Sequence, residues 1–233
     1  MVEYRVEKKY LVSDMDLTLL ASRLDGIMEK DIHQQGGCYQ IRSLYFDDFR
    51  DSCLEENDAG VDYRKKYRIR TYDPASGIMK LEIKEKKSGF TKKTSCSLGS
   101  EELSRIQVGD CPEFDSNRPT LNQLLLQMKC SGMAPKAIIS YERTAFVHPT
   151  GNVRITFDRN ISASACCGAF LDDTIADSVP VLPAGMQILE VKYDELLPDV
   201  IHRQLDLGKL RQTAFSKYYL GRLALSGDFP ISR

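Results

Sequence analysis

The 233-residue sequence has no tryptophan, and its histidines number three: His33, His148 and His202. Nothing in their spacing pairs them, so they read as structural or surface groups. Seven cysteines form no CxxC pair, and Cys166 and Cys167 are adjacent. That pattern suits neither a zinc cage nor a disulfide framework, and we expect reduced thiols in a cytoplasmic protein. No apolar run approaches the roughly 18–20 residues of a membrane span. The opening Met1-Val2-Glu3-Tyr4-Arg5 lacks the apolar stretch of a signal peptide. P-loop, nucleophile-elbow and HExxH motifs are all missing, as are internal repeats, low-complexity tracts and linkers. With 42% hydrophobic and 28% charged residues, the chain can bury a core, which excludes global disorder. Its length suits one domain, 1–233.

Net charge is also lacking, at −1, so no global basic field points to nucleic acid. That average hides an asymmetry. Between Arg64 and Lys93 stand eleven basic residues: Arg64, Lys65, Lys66, Arg68, Arg70, Lys80, Lys84, Lys86, Lys87, Lys92 and Lys93. Only Asp73, Glu82 and Glu85 oppose them, a net +8 in thirty residues that leaves −9 for the remainder. Such a concentration predicts a polyanionic partner. No aromatic stacking platform is interleaved with the basic run, which places a nucleic-acid reader last.

Patterning predicts a mostly antiparallel α+β domain. Strands are expected at Glu3–Val12, Tyr39–Asp47, Arg64–Tyr72, Met79–Lys87, Phe90–Leu98, Ala137–Val147, Asn152–Asn160 and Gln187–Tyr193. Helices are expected at Ser13–Lys30, Ser100–Val108, Leu121–Cys130, Pro198–Leu207 and Thr213–Leu225, with Arg50–Asp62 irregular or briefly helical. Ser13 and Asp16 have capping-box spacing, and Leu17, Leu20, Leu24, Ile27 and Met28 supply an apolar stripe.

Side chains alternate across a strand, which sorts the charges. Arg5, Glu7 and Lys9 share one face. Lys66, Arg68 and Arg70 share another, opposite Tyr67 and Ile69. Lys80, Glu82, Lys84 and Lys86 oppose Leu81 and Ile83. Arg154, Thr156 and Asp158 oppose Val153, Ile155 and Phe157, and Glu190 with Lys192 opposes Leu189 and Val191. A sheet with one wet face would also produce such alternation. Recurrence on strands scattered over the whole chain points further: closed into a barrel, these charges line one cavity. Cations converging there repel unless an anion fills the space, and Arg and Lys suit phosphate oxygens. The few carboxylates among them suit a divalent cation.

These residues carry a family resemblance over Arg5 to about Ala224. The landmarks are Arg5-Val6-Glu7-Lys8-Lys9-Tyr10, Ser43-Leu44-Tyr45-Phe46-Asp47, Tyr67-Arg68-Ile69-Arg70, Leu81-Glu82-Ile83-Lys84, Tyr141-Glu142-Arg143-Thr144-Ala145-Phe146, Val153-Arg154-Ile155-Thr156-Phe157-Asp158, Leu189-Glu190-Val191-Lys192 and Phe215-Ser216-Lys217-Tyr218. In this order they resemble the VTC domain, the polyphosphate-polymerase domain of the vacuolar transporter chaperone complex. That domain belongs to the triphosphate tunnel metalloenzymes, relatives of the CYTH phosphatases. The resemblance implies an antiparallel β-barrel enclosing a basic tunnel and flanked by helices. It further implies that ATP binds by its triphosphate and that the γ-phosphoryl group passes to pyrophosphate or a growing polyphosphate chain. By position, Lys9, Arg68, Arg70, Lys84, Arg143 and Lys217 take catalytic places. Lys66, Lys93, Arg154, Lys192 and Ser216 bind phosphate. Glu190, with Glu7 and Glu82, holds Mn²⁺ or Mg²⁺.

Alternatives stay open at several of these positions. Glu7 and Glu82 either touch metal or pair with neighbouring cations. Arg143 is a phosphate ligand or a snorkelling edge residue. Lys192 grips phosphate or simply pairs with Glu190. The phosphatases' ExExK strand reads here Arg5-x-Glu7-x-Lys9, a cation replacing a carboxylate. That favours holding a longer polyanion over two-metal hydrolysis. A CYTH-type tripolyphosphate or nucleoside triphosphate hydrolase and a non-catalytic polyphosphate-binding module are the competing functions.

Overall fold

The structure, a computed structural model, describes residues 5–32, 34–88, 90–206 and 210–227; His33 lies outside them. In chain order the described elements are β1 Val6–Ser13, α1 Asp14–Leu24, β2 Glu29–Lys30, β3 Tyr39–Asp47, α2 Ser52–Asp58, β4 Arg64–Thr71, β5 Met79–Lys87 and β6 Phe90–Leu98. There follow α3 Ser100–Gln107, α4 Pro119–Ser131, β7 Ala134–His148, β8 Val153–Ser164, β9 Val179–Pro180, β10 Met186–Tyr193, α5 Asp199–Leu205, β11 Arg211–Gln212 and α6 Lys217–Ser226. The fold is α+β with a large sheet, and every described register is antiparallel.

Two compact units interleave along the sequence. The first draws on Met1–Gln40, Tyr141–Ile161 and Leu182–Phe215. Its strands run in the order β11-β1-β10-β8-β7, with β2 added on β7. Helix α1 begins as its sequence dictates: Ser13 Oγ accepts from the Asp16 amide at 3.1 Å, and Asp16 accepts from the Ser13 amide at 3.0 Å. Leu17, Leu20 and Leu24 of α1 and Ile201 and Leu205 of α5 bury against Tyr10, Val12, Ile155, Phe157, Leu189 and Val191 of the sheet. The helix stops at Leu24, six residues short of the predicted Lys30, because Glu29 and Lys30 pair as β2 with Val147 and Phe146.

The second unit draws on Ile41–Ser140, Ser162–Val181 and Ser216–Arg233, with strand order β7-β3-β4-β5-β6. Strands β5 and β6 have the predicted bounds. The turn before β5 carries Gly77 at φ 64°, a left-handed position that glycine supplies without strain. Leu44, Phe46, Tyr67, Ile69, Leu81 and Ile83 are buried on one face of the sheet, and α4 packs on β5 and β6. Strand β8 outruns its predicted end because Ser162 and Ala163 pair with β9. Helix α6 starts at Lys217 rather than Thr213, with the Ser216 side chain as its N-cap. The Thr213 amide instead donates to Lys9 O at 2.9 Å, prolonging the β11 pairing.

The barrel expectation needs one correction. The eight predicted strands all form and their described pairings are antiparallel, with β2, β9 and β11 added, but the strand order is open, ending at β11 and β6 with no described pairing between them. Strand β11 is two residues long, and the edge strand β6 presents exposed Thr91, Lys92 and Lys93. Charged edges of this kind resist pairing.

Candidate functional site

Alternation along β4, β5 and β6 puts one set of side chains opposite the apolar face, and the register aligns them. Arg70 faces Lys80, which faces Ser97. Arg68 faces Glu82, which faces Ser95. Lys66 faces Lys84, which faces Lys93. In these three rows six cations thus share a face with one carboxylate, Glu82. The face is no ordinary wet surface: Glu82 is 4% exposed and Arg70 9%.

Glu82 is the hub. It accepts from Arg68 Nε at 2.8 Å and NH2 at 2.7 Å, pairs with Lys93, and lies 3.7 Å from Arg70 NH1. Burial raises its pKa, but Arg68, Arg70 and Lys93 outweigh that and hold the carboxyl at about 2. Lys66 donates to Asn57 and, at 2.9 Å, to Ser216 Oγ, bringing the start of α6 to this face. Lys217, the first residue of α6, is half-buried beside it in the chain. Lys84 is exposed.

The first unit holds a second charged cluster. Glu7 faces Lys192, and Lys9 faces Glu190, on paired strands β1 and β10. Lys9 Nζ lies 3.0 Å from Glu7 and 3.8 Å from Glu190; Lys192 Nζ lies 3.3 Å from Glu190 and 4.0 Å from Glu7. Lys9 also donates to Phe215 O at 3.0 Å. Arg143 grips the fully buried Asp158 through two bonds of 2.6 and 2.8 Å, with Glu190 3.7 Å away. Burial lowers the Arg143 pKa, but Asp158 outweighs it and the guanidinium is held well above its ordinary value. Arg143 therefore does not snorkel to an edge. Arg154 pairs with Asp31 at 2.7 Å and donates to Tyr39 OH at 3.0 Å. Arg5 is turned to the strand end, on Asn152 O and Asp194.

Among the described residues no three His, Cys, Asp or Glu side chains form a metal cage. A hard cation completed by phosphate oxygens needs fewer, one or two carboxylates. Glu7 and Glu190, diagonal neighbours on β1 and β10, fit that requirement. Glu82 is held more tightly than Glu190, by hydrogen bonds of 2.7–2.8 Å from Arg68 against ion pairs of 3.3–3.8 Å from Lys192, Arg143 and Lys9.

Sequence reasoning missed the groups that hold the cations. Asp31, Tyr39, Asn57, Asp158 and Tyr45 each fix one of the named basic residues. Alternation already puts Asp158 on one face with Arg154, and it puts Tyr45 on one face with Ser43 and Asp47 of β3.

The described cysteines are all free thiols, and no helix among the described residues is long and apolar enough to cross a membrane. Residues 4–226 match the family model described as VTC domain. No curated protein sequence matches the chain. Among solved structures, a Hippeastrum protein, HpAC1, described as a candidate adenylyl cyclase with a dominant triphosphatase activity, superposes with TM-score 0.56 at 14% identity, covering 99% of this chain and 100% of its own. A candidate adenylate cyclase of Bacillus halodurans gives TM-score 0.55 at 15% identity over 92% and 94% of the two chains. At these identities the likeness is one of fold, the triphosphate-tunnel fold.

Proposed function

Since the chain belongs to the VTC domain family, we propose that it is an ATP-dependent polyphosphate polymerase, acting as a single functional domain. It would transfer the γ-phosphoryl group of ATP to the end of a pyrophosphate or polyphosphate acceptor. The observation that supports this best is the row Lys66, Lys84, Lys93. Like charges placed directly opposite on neighbouring strands are unfavourable, and a polyanion reverses the sign of that interaction.

Phosphoryl transfer asks for alignment and charge neutralisation more than for a covalent nucleophile. Lys66, Lys84 and Lys93 neutralise phosphate oxygens, and Arg70 and Arg68 present planar donors already oriented by Glu82. Ser216 and Lys217 bring a hydroxyl, an ammonium and the amide end of α6 to phosphate. In the other cluster Lys9 and Lys192 neutralise charge, and Arg154 adds a donor. Arg143, tied to Asp158, orients Glu190. Glu7 and Glu190 would hold Mn²⁺ or Mg²⁺, which when bound would neutralise phosphate oxygens at that cluster. Glu82 we assign to orienting Arg68 and Arg70 rather than to metal. The acceptor phosphate is an anion at neutral pH, so no strong general base is needed.

A hydrolase of tripolyphosphate or nucleoside triphosphate is the second reading, favoured by the triphosphatase described for HpAC1; Glu7 and Glu190 would then orient water. ³¹P NMR of the protein with ATP, Mn²⁺ and pyrophosphate separates the two. Polymerase activity yields mid-chain phosphate signals growing with ADP. Orthophosphate as the dominant product would replace the polymerase with the hydrolase, and unaltered ATP beside broadened polyphosphate lines would leave a binding module.

A further inference from the structure

We propose that Tyr45 is a positioning residue for phosphate binding: its phenol fixes the Arg68 guanidinium, and Tyr218 of α6 braces the phenol. The inference rests on the phosphate-polymer reading above and goes beyond it by naming what orients the wall of the site.

Arg68 is held from two sides. Glu82 takes Nε–H and NH2, and NH1 donates to Tyr45 Oη at 3.0 Å. Two contacts to one carboxylate oxygen leave a guanidinium able to pivot about that oxygen; a third contact on the opposite edge removes the pivot. The Tyr45 ring is itself immobilised. It is buried and stacks on Tyr218, with centroids 5.1 Å apart and planes 22° apart. Tyr218 OH donates to Asp47 Oδ2 at 2.7 Å and accepts from Arg222 NH1 at 2.8 Å. Asp47 in turn accepts from the amides of Asp48, Cys53 and Leu54 at 2.8–3.0 Å. Arg222 is clamped on Asp51 by two bonds of 2.9 and 2.8 Å.

Tyr218 directly follows Lys217 and stands two residues after Ser216. The same stack therefore ties the orientation of Arg68 to the start of α6, where Lys66 meets Ser216. Donors fixed before the ligand arrives lose less entropy on binding it. The electrostatics agree with this placement. Burial raises the Tyr45 pKa, but Arg68, Arg70 and Lys66 outweigh it and bring the phenol down to about 8. Phenol and phenolate alike offer Arg68 a lone pair, so the contact does not depend on which form is present.

The test is a double-mutant cycle on the full chain with inorganic tripolyphosphate as the probe, read by calorimetric titration, with melting temperatures recorded alongside. Tyr45→Phe keeps the ring and the stack. It is expected to weaken tripolyphosphate binding about tenfold by releasing the Arg68 guanidinium, and to lower the melting temperature modestly, since the lost hydrogen bond also belongs to the free protein. In an Arg68→Lys background the same substitution is expected to cost almost nothing, because a lysine has no plane to orient. Equal losses in both backgrounds, or no loss in either, overturn the proposal while leaving the phosphate-polymer reading intact. Failure of the unsubstituted protein to bind tripolyphosphate overturns that reading, and this inference with it. Tyr63→Phe, an exposed tyrosine outside the network, serves as the control expected to bind normally.

Discussion

At the scale of the residue, the charges of this protein are organised around a few buried acids. Glu82 answers for Arg68, Arg70 and Lys93, and its ordinary pKa of 4.5 is pulled down to about 2. A depressed carboxylate stabilises the fold above its ordinary pKa, and that contribution is lost as pH falls through the folded value. Glu82→Gln is therefore expected to lower stability at pH 7 by about 3 kcal/mol. The deficit relative to the unsubstituted chain should narrow as pH drops from about 4.5 to about 2. Urea unfolding at a series of pH values measures it, and a deficit that does not change with pH would sink the assignment. The cations themselves were legible from alternation, since Lys66, Arg68 and Arg70 fall on one strand face by counting. Their partners were mostly not, because pairing is fixed by tertiary contact: Arg154 meets Asp31 and Tyr39 across more than a hundred residues.

At the scale of the element, the most telling feature is a row of three lysines across β4, β5 and β6. In an ordinary sheet such a row is a defect, and relieving it should help the free protein. Lys84 is the member to change, because it stands in the middle of the row, directly opposite both Lys66 and Lys93. Lys84→Gln is expected to leave the melting temperature equal or higher, by the equivalent of up to about 1 kcal/mol, while reducing the upward shift produced by tripolyphosphate. A lower melting temperature without ligand, or an undiminished shift with it, would remove the row from the binding site. The elements bearing this row were the best read in advance: Met79 to Lys84 alternates strictly after the Asp73–Gly77 turn, and Met79–Lys87 and Phe90–Leu98 both have the predicted bounds. The ends of α1 and α6 were read less well. Their apolar periodicity continues past the point where β2 and β11 capture the backbone, and competition for backbone partners leaves no mark in side-chain pattern.

At the scale of the whole molecule, the same logic explains how a chain of net charge −1 can serve a polyanion. Long-range attraction from total charge is absent, so association must come from the local field of the Arg64–Lys93 region and its buried cations. Local fields of this kind are screened over about 10 Å at 0.1 M salt, the span of two or three strands. The barrel implied by the resemblance differs at this scale in one respect: the strand order is open, and one of its ends is the charged edge of β6. Binding of tripolyphosphate is therefore expected to weaken steeply between about 0.05 and 0.5 M salt, with far less change in the melting temperature of the free protein. Adenosine, which carries no phosphate, should not compete. Titration calorimetry at several salt concentrations decides the matter. An affinity indifferent to salt would mean that recognition rests on shape or on the base, and the concentration of positive charge would then be a property of the fold without a role in capture.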